Sequence, residues 1–155
     1  MAQNSPPETQ FLHYYKVVEF FFPRANQHFS EMNRNNEKDD KSKIFNKQRL
    51  IYLLNMPKVK EKACYVADSD FFLEILERKK KIGYSNLADE LAKELYNYRN
   101  QVVHSMENTR KIPKLLVESH DYEAMEWWNK TIQAVAFAII KCLCYDNNLD
   151  LESYD

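Results

Sequence analysis

At 155 residues with a formal net charge of −1, the chain has the length of one domain and lacks the overall positive charge typical of nucleic-acid-binding domains. Its single glycine, Gly83, argues against β-hairpins and glycine-rich phosphate loops. The longest apolar run, 134–140, is too short to cross a bilayer, and the polar N-terminus does not resemble a secretory signal. We therefore expect a cytoplasmic protein that makes no use of a membrane.

Apolar residues recur at helical spacing along most of the chain, with proline and polar clusters between the helical segments. The pattern predicts helices over 8–22, 24–32, 43–55, 68–81, 86–106 and 121–144. Pro23 should interrupt the first helix because proline lacks an amide proton, and Pro57 should end the third. The segment 58–67 is ambiguous. These elements predict an all-α fold, a bundle of about five helices.

The ends of the predicted helices delimit the domain. We expect a disordered lead over 1–7, a single helical domain over 8–145 and a fraying acidic tail over 146–155. The final helix should be the most buried, because it is apolar on nearly every side from 127 to 144. Candidate capping or terminating residues stand at the predicted ends: Asp68 or Ser69, Gly83, Ser85 or Asn86, and Asp121.

Charge and cysteines are unevenly distributed. Residues 31–62 hold nine basic and five acidic side chains, whereas 118–155 hold two basic and eight acidic ones, and 78–81 is a short basic run. Such basic stretches are usually solvated helix faces, although either could contact phosphate. We expect the cysteines, Cys64, Cys142 and Cys144, to be small core residues in a reducing compartment rather than metal ligands. No histidines and carboxylates stand at metal-ligand spacing, so no metal or cofactor is expected.

The predicted helix 86–106 carries the most informative residues of the chain: Arg99, Asn100 and His104. A guanidinium binds phosphate through a planar fork of donors, and an imidazole exchanges a proton near neutral pH. These two groups are sufficient in principle to cleave RNA without a metal, because the guanidinium can stabilise charge on the phosphate while the imidazole transfers protons. Asn100 would position one of the two.

Helix geometry complicates a site made from one copy of the chain. Five residues turn a straight helix by roughly 140°, so Arg99 and His104 do not share a face, whereas Asn100 and His104 do. Either the long arginine reaches around the helix or two copies pool their residues across a two-fold axis. A homodimer with the site at its interface would bring two arginines and two histidines into one cleft.

The motif resembles that of the HEPN domains (higher eukaryotes and prokaryotes nucleotide-binding), whose signature is an arginine, four to six residues and a histidine. The matching residues are Arg99-Asn100-Gln101-Val102-Val103-His104, with a polar residue in the favoured place after the arginine. The aromatic first helix and the long apolar last helix are similar to those of the ApeA-like branch. Only the arginine–histidine block is specific to the family, although the resemblance touches most of the chain.

The resemblance implies a helical dimer that acts as a metal-independent endoribonuclease, with Arg99, Asn100 and His104 as catalytic residues and RNA as substrate. It also implies a setting in bacterial stress or phage defence, including toxin action, with a sensor domain or an antitoxin as partner. In the branch that pairs with a nucleotidyltransferase antitoxin, a modifiable tyrosine stands two residues after the histidine. Met106 occupies that place here, which argues against that branch.

Two alternatives remain open from the sequence. The alternative to the ribonuclease is a non-catalytic helical dimerisation or nucleotide-binding module of a larger protein, as in HEPN members that have lost the motif. Arg99 could also be an ordinary surface ion-pair partner of Glu94 or Glu107, and His104 an ordinary helix histidine. The positions of Arg99 and His104 in the fold distinguish the catalytic interpretation from these alternatives.

Overall fold

The computed structural model describes residues 6–26, 46–79, 86–107 and 122–146, and within these ranges it contains helices and no strand. The helices are α1 (Pro7–Phe20), α2 (Asn46–Leu54), α3 (Pro57–Ala67), α4 (Asp70–Arg78), α5 (Leu87–Glu107) and α6 (Tyr122–Ile140). A π-helical turn, Lys141–Asp146, continues α6. The prediction of an all-α bundle is confirmed.

One hydrophobic core joins all six helices. Helix α6 packs along α1 and also against α3, while α5 packs against α2 and α3. Each helix contributes at least one fully buried apolar side chain to this core: Phe11, Leu50, Val59, Phe72, Leu91 and Ile132. Burying a side chain of this size stabilises the fold by roughly 1.5–3 kcal/mol relative to leaving it exposed. The core therefore determines the position of α5, the helix that carries the candidate site.

The predicted interruption of the first helix near Pro23 is present, but Pro23 and Pro57 both lie at the start of a helical segment rather than at the end of one. Helix α1 ends at Phe20, and residues 22–26 are helical again, so Pro23 lies in the first turn of the second segment. Pro57 is likewise the first residue of α3, while α2 ends earlier at Leu54. Proline is tolerated at a helix start because the missing N–H has no intrahelical acceptor there. The ambiguous segment 58–67 is thus helical, and α4 ends at Arg78 rather than at residue 81.

Side-chain caps mark the starts of two helices, as the sequence suggested. The N–H of Phe72 donates to Ser69 Oγ (3.3 Å) at the start of α4. At the start of α5, the N–H of Ala88 donates to Asn86 Oδ1 (3.0 Å), and Asn86 Nδ2 donates to Asn55 Oδ1 (3.0 Å). Gly83, Ser85 and Asp121 lie outside the described residues, as do 1–5 and 147–155.

Helix α6 has more buried residues than any other described helix, as the sequence predicted, and these residues lie on one face of the helix. Ile132, Val135 and Ile139 are fully buried, whereas Phe137 is 56% exposed. Cys64 and Cys142 pack against the core, but Cys144 is exposed, which corrects its assignment as a core residue. Within the described ranges, no helix is both long enough and apolar enough to cross a membrane.

Asn86→Ala should destabilise the protein by about 1 kcal/mol, because it removes the oxygen that caps α5. Chemical denaturation monitored by circular dichroism measures this change. Gln101→Ala, at an exposed position of the same helix, is the matched control and should change the free energy of unfolding by less than about 0.5 kcal/mol. Equal effects of the two substitutions would contradict the capping role of Asn86.

Candidate active site

The three predicted site residues lie on the C-terminal half of α5. This helix is continuous over Leu87–Glu107, so the expected angular offset between Arg99 and His104 applies. Leu91, Leu95 and Val102 form its buried face, and Arg99 and Asn100 lie at the margin of that face. His104 lies on the solvent side.

Arg99 is held by three side chains. Its Nη1 donates to Asn100 Oδ1 at 3.2 Å, and its Nε lies 3.9 Å from Glu19 Oε1 on α1. The guanidinium carbon is 5.9 Å from the centroid of the Tyr15 ring, within the range of a cation–π contact. The side chain remains 33% exposed, so an anionic ligand from solvent can reach the guanidinium.

The residue before Arg99 anchors this part of α5 in the core. Tyr98 stacks on Trp128 of α6 with the ring centroids 4.8 Å apart, and it makes an edge contact with Phe11 of α1 at 4.7 Å. Aromatic pairs in such arrangements stabilise by about 0.5–1.5 kcal/mol beyond the area they bury. The direction in which Arg99 leaves the helix is therefore set by contacts to both α1 and α6.

Tyr15 lies beneath the guanidinium and has a buried hydroxyl. Within the described residues, Tyr15 Oη has no hydrogen-bond partner. Burial raises the pKa of this phenol well above its usual value, the carboxylate of Glu19 raises the pKa further, and the positive charge of Arg99 opposes the shift. Tyr15 is thus a neutral, apolar support for Arg99 at physiological pH rather than a proton donor or acceptor.

His104 is separated from the other two residues. Its side chain is 73% exposed, and its Nδ1 lies 3.6 Å from Oε2 of Glu107, one turn along the helix. Within the described residues, no hydrogen bond or ion pair joins His104 to Arg99 or Asn100. The structure thus brings Arg99 and Asn100 together and leaves His104 on an open surface of the same helix.

The carboxylate partners differ from those considered in the sequence. Arg99 pairs with Glu19, whereas Glu94 pairs with Lys79 and is almost completely buried, and Glu107 pairs with His104. Sequence reasoning missed both Glu19 and Tyr15 as neighbours of Arg99. The signal was present on α1, where Glu19 stands four residues after Tyr15, so that the two face the same side of that helix.

No protein-family model, no curated protein and no solved structure matches the chain. Among the described side chains, no group of three or more histidine, cysteine, aspartate or glutamate residues is placed to hold a metal ion. The chemistry that the site can perform therefore depends on Arg99, Asn100, His104 and their neighbours.

Tyr15→Phe tests the buried, unpartnered hydroxyl. A folded-state pKa above the unfolded value means that the phenol contributes full stability below pH ~10 and loses it as the pH rises above that value. Between pH 8 and pH 11, the wild type should lose more unfolding free energy than Tyr15→Phe, measured by denaturation at each pH. The exposed Tyr122→Phe is the control and should follow the wild type. Identical pH dependence for all three proteins would contradict burial of Tyr15 Oη.

Proposed function

We propose that the chain is a metal-independent endoribonuclease of the HEPN type that cleaves RNA through the substrate's own 2′-hydroxyl. The observation that supports this is the paired, partly exposed Arg99 and Asn100 on the same helix as a solvent-accessible His104. A fixed guanidinium and a titratable ring on one rigid element are the groups that phosphodiester transfer needs when no metal assists. The motif similarity to HEPN domains adds to this support.

In the proposed reaction, the 2′-oxygen attacks phosphorus, and the bond from phosphorus to the 5′-oxygen breaks. His104 acts as the general base that takes the 2′-proton or as the general acid that protonates the leaving 5′-oxygen. Arg99 stabilises the negative charge that grows on the non-bridging oxygens, and Asn100 orients the guanidinium through its amide oxygen. The products are a 2′,3′-cyclic phosphate and a 5′-hydroxyl.

A homodimer completes this site. Arg99 and His104 leave α5 in directions roughly 140° apart, so one phosphate is best contacted by Arg99 from one copy and His104 from the other. Two exposed apolar side chains adjoin the site in sequence, Phe20 next to Glu19 and Met106 near His104. Such side chains are typical of the surface that a dimer buries.

The biological setting follows from the resemblance alone. We propose a role in bacterial stress or phage defence, in which RNA cleavage stops translation and the enzyme acts as a toxin. A sensor domain or an antitoxin would then restrain the activity. The cytoplasm, where RNA substrates are found, is the proposed location.

A non-catalytic dimerisation or nucleotide-binding module is the second candidate, and one contact favours it. Glu19 lies 3.9 Å from Arg99 Nε, so a carboxylate already occupies part of the guanidinium that a phosphate would need. In such a module, Arg99 would serve as an ion-pair partner between α1 and α5. Loss of RNA cleavage on mutation of Arg99 and His104 separates the two functions.

Arg99→Ala and His104→Ala should each reduce RNA cleavage by about 10²–10³-fold, because each removes a group that acts in the transition state. Cleavage of total tRNA and of an mRNA in the presence of EDTA is the assay. Arg78→Ala and Gln101→Ala are matched controls, since both residues are exposed on helices and neither has a role in the proposed reaction. Wild-type cleavage by His104→Ala, at equal purity and with an unchanged circular dichroism spectrum, would refute the proposed function.

A mixture of the two inactive variants tests the shared site. If Arg99 and His104 act from different copies, a heterodimer of Arg99→Ala and His104→Ala contains one intact pair. An equimolar mixture that has exchanged subunits should then recover about one quarter of wild-type activity, because half the dimers are mixed and each has one of two sites. No recovery in a mixture whose exchange is verified by mass spectrometry would place both residues in one copy.

A further inference from the structure

A second surface lies away from the motif, in a groove between α3 and α6 with a volume of about 980 Å³. Four lysines and two aromatic residues are prominent in its lining: Lys58, Lys62, Tyr65, Lys130, Phe137 and Lys141. This volume is at the upper end of the range of small-molecule sites, and the groove is open to solvent. The chemistry of its walls indicates what could occupy it.

The two walls repeat one pattern. On α3, Lys58, Lys62 and Tyr65 follow one another at helical spacing, and the ammonium of Lys62 lies 5.2 Å from the centroid of the Tyr65 ring. On α6, Lys130 and Phe137 are two turns apart on one face, and Lys141 lies one turn further on. Each wall therefore presents lysines beside an aromatic ring.

Both rings are exposed in spite of their apolar character. Tyr65 is 73% exposed and Phe137 is 56% exposed, although α3 and α6 each bury a complete apolar face in the core. The contact with Lys62 restricts the Tyr65 ring without covering it. Large exposed rings beside a concave surface are typical of a binding site, because they remove apolar area from water when a ligand is bound.

The groove concentrates positive charge in an acidic part of the chain. Lys130 and Lys141 are the only basic residues between 118 and 155, and both line the groove. Among the described lining residues Glu61 is the one carboxylate, so these four lysines and one glutamate sum to a charge of +3. Glu126 also pairs with Lys130 at 2.9 Å, but both side chains are highly exposed, and such pairs are weak.

We propose that this groove binds a single-stranded nucleic acid. The lysines on the two walls would neutralise phosphates, and Tyr65 and Phe137 would stack on unpaired bases. A duplex keeps its bases stacked on one another and cannot offer them to the rings. An acidic peptide would satisfy the lysines but has no regular series of flat faces for the rings, and a concave groove does not fit a membrane surface.

This binding site extends the proposed ribonuclease function, since the strand held in the groove would be the RNA that is cleaved. Binding itself needs no cleavage, so it is measured on the His104→Ala protein, in which the strand stays intact. The probe is a fluorescently labelled 12-nucleotide single-stranded RNA, and fluorescence anisotropy gives its affinity. The same RNA annealed to its complement and a free mononucleotide serve as comparison ligands.

We expect the single strand to bind more tightly than both comparison ligands. With about three lysine–phosphate contacts, the logarithm of the binding constant should fall with the logarithm of the salt concentration with a slope near −2. Lys58→Ala/Lys62→Ala should reduce the magnitude of that slope by about 1.4, because two contacts are lost. Tyr65→Ala/Phe137→Ala should weaken binding by about tenfold or more at fixed salt.

A control variant separates the loss of groove contacts from a general loss of positive charge. Lys47→Ala/Lys60→Ala removes two exposed lysines that do not line the groove and should leave binding unchanged. Lys60 lies on α3, the same helix as Lys58 and Lys62. An equal loss of affinity in this control would overturn the proposal, as would equal binding of the duplex or the mononucleotide. A dimer that dissociates in Tyr65→Ala/Phe137→Ala while RNA affinity is retained would also overturn it, by assigning the groove to a second copy of the chain.

The two proposals fail in different ways. If the groove variants bind RNA as the wild type does while cleavage still depends on His104, the groove proposal is wrong and the ribonuclease proposal stands. If the groove variants lose binding while the wild type cleaves no RNA, the groove proposal stands and the catalytic one is wrong.

Discussion

The stacking of Tyr98 on Trp128 is the contact on which the arrangement of the candidate site depends. It joins α5 to α6 with nearly parallel rings, and the edge of Phe11 against Tyr98 adds α1 to the same cluster. Because Arg99 directly follows Tyr98, the position of the guanidinium is set by three helices rather than by α5 alone. Tyr15 stacks on Phe11 within this cluster and supports the guanidinium from below. Arg99, which the sequence alone could also assign to an ordinary surface ion pair, is thus positioned by contacts with the hydrophobic core.

The positive charge of Arg99 is only weakly neutralised by its carboxylate neighbour, Glu19. The pair between Arg99 and Glu19 has a separation of 3.9 Å, and both side chains are about one third exposed. Pairs of this kind contribute up to about 1 kcal/mol, whereas a hydrogen bond to a charged group contributes about 1.5–3 kcal/mol. A phosphate that accepts two hydrogen bonds from the guanidinium can therefore displace Glu19.

Net charge does not describe the charge around the groove. The chain carries −1 overall, which by itself argues against nucleic-acid binding. Among the described residues, four lysines from two distant segments line the groove together with a single glutamate. The Debye length at physiological salt is about 8 Å, so a ligand within the groove responds to these nearby charges more than to the acidic residues elsewhere. Local charge, and not its sum over the chain, decides which ligands a surface can attract.

The sequence by itself determined the helical class and narrowed two helix caps to adjacent pairs of residues, because both depend on residues a few positions apart. The structure then selected Ser69 and Asn86 as the caps and paired Asn100 with Arg99. The sequence left 58–67 undecided, since the buried face of α3 consists only of Val59, Ala63 and Ala67, which give a weak apolar signal. Tertiary structure alone decided that Glu19 and Tyr15 meet Arg99 and that the lysines of α3 face those of α6. Those contacts join residues about 70–85 positions apart, and no local pattern encodes them because they follow from how whole helices pack.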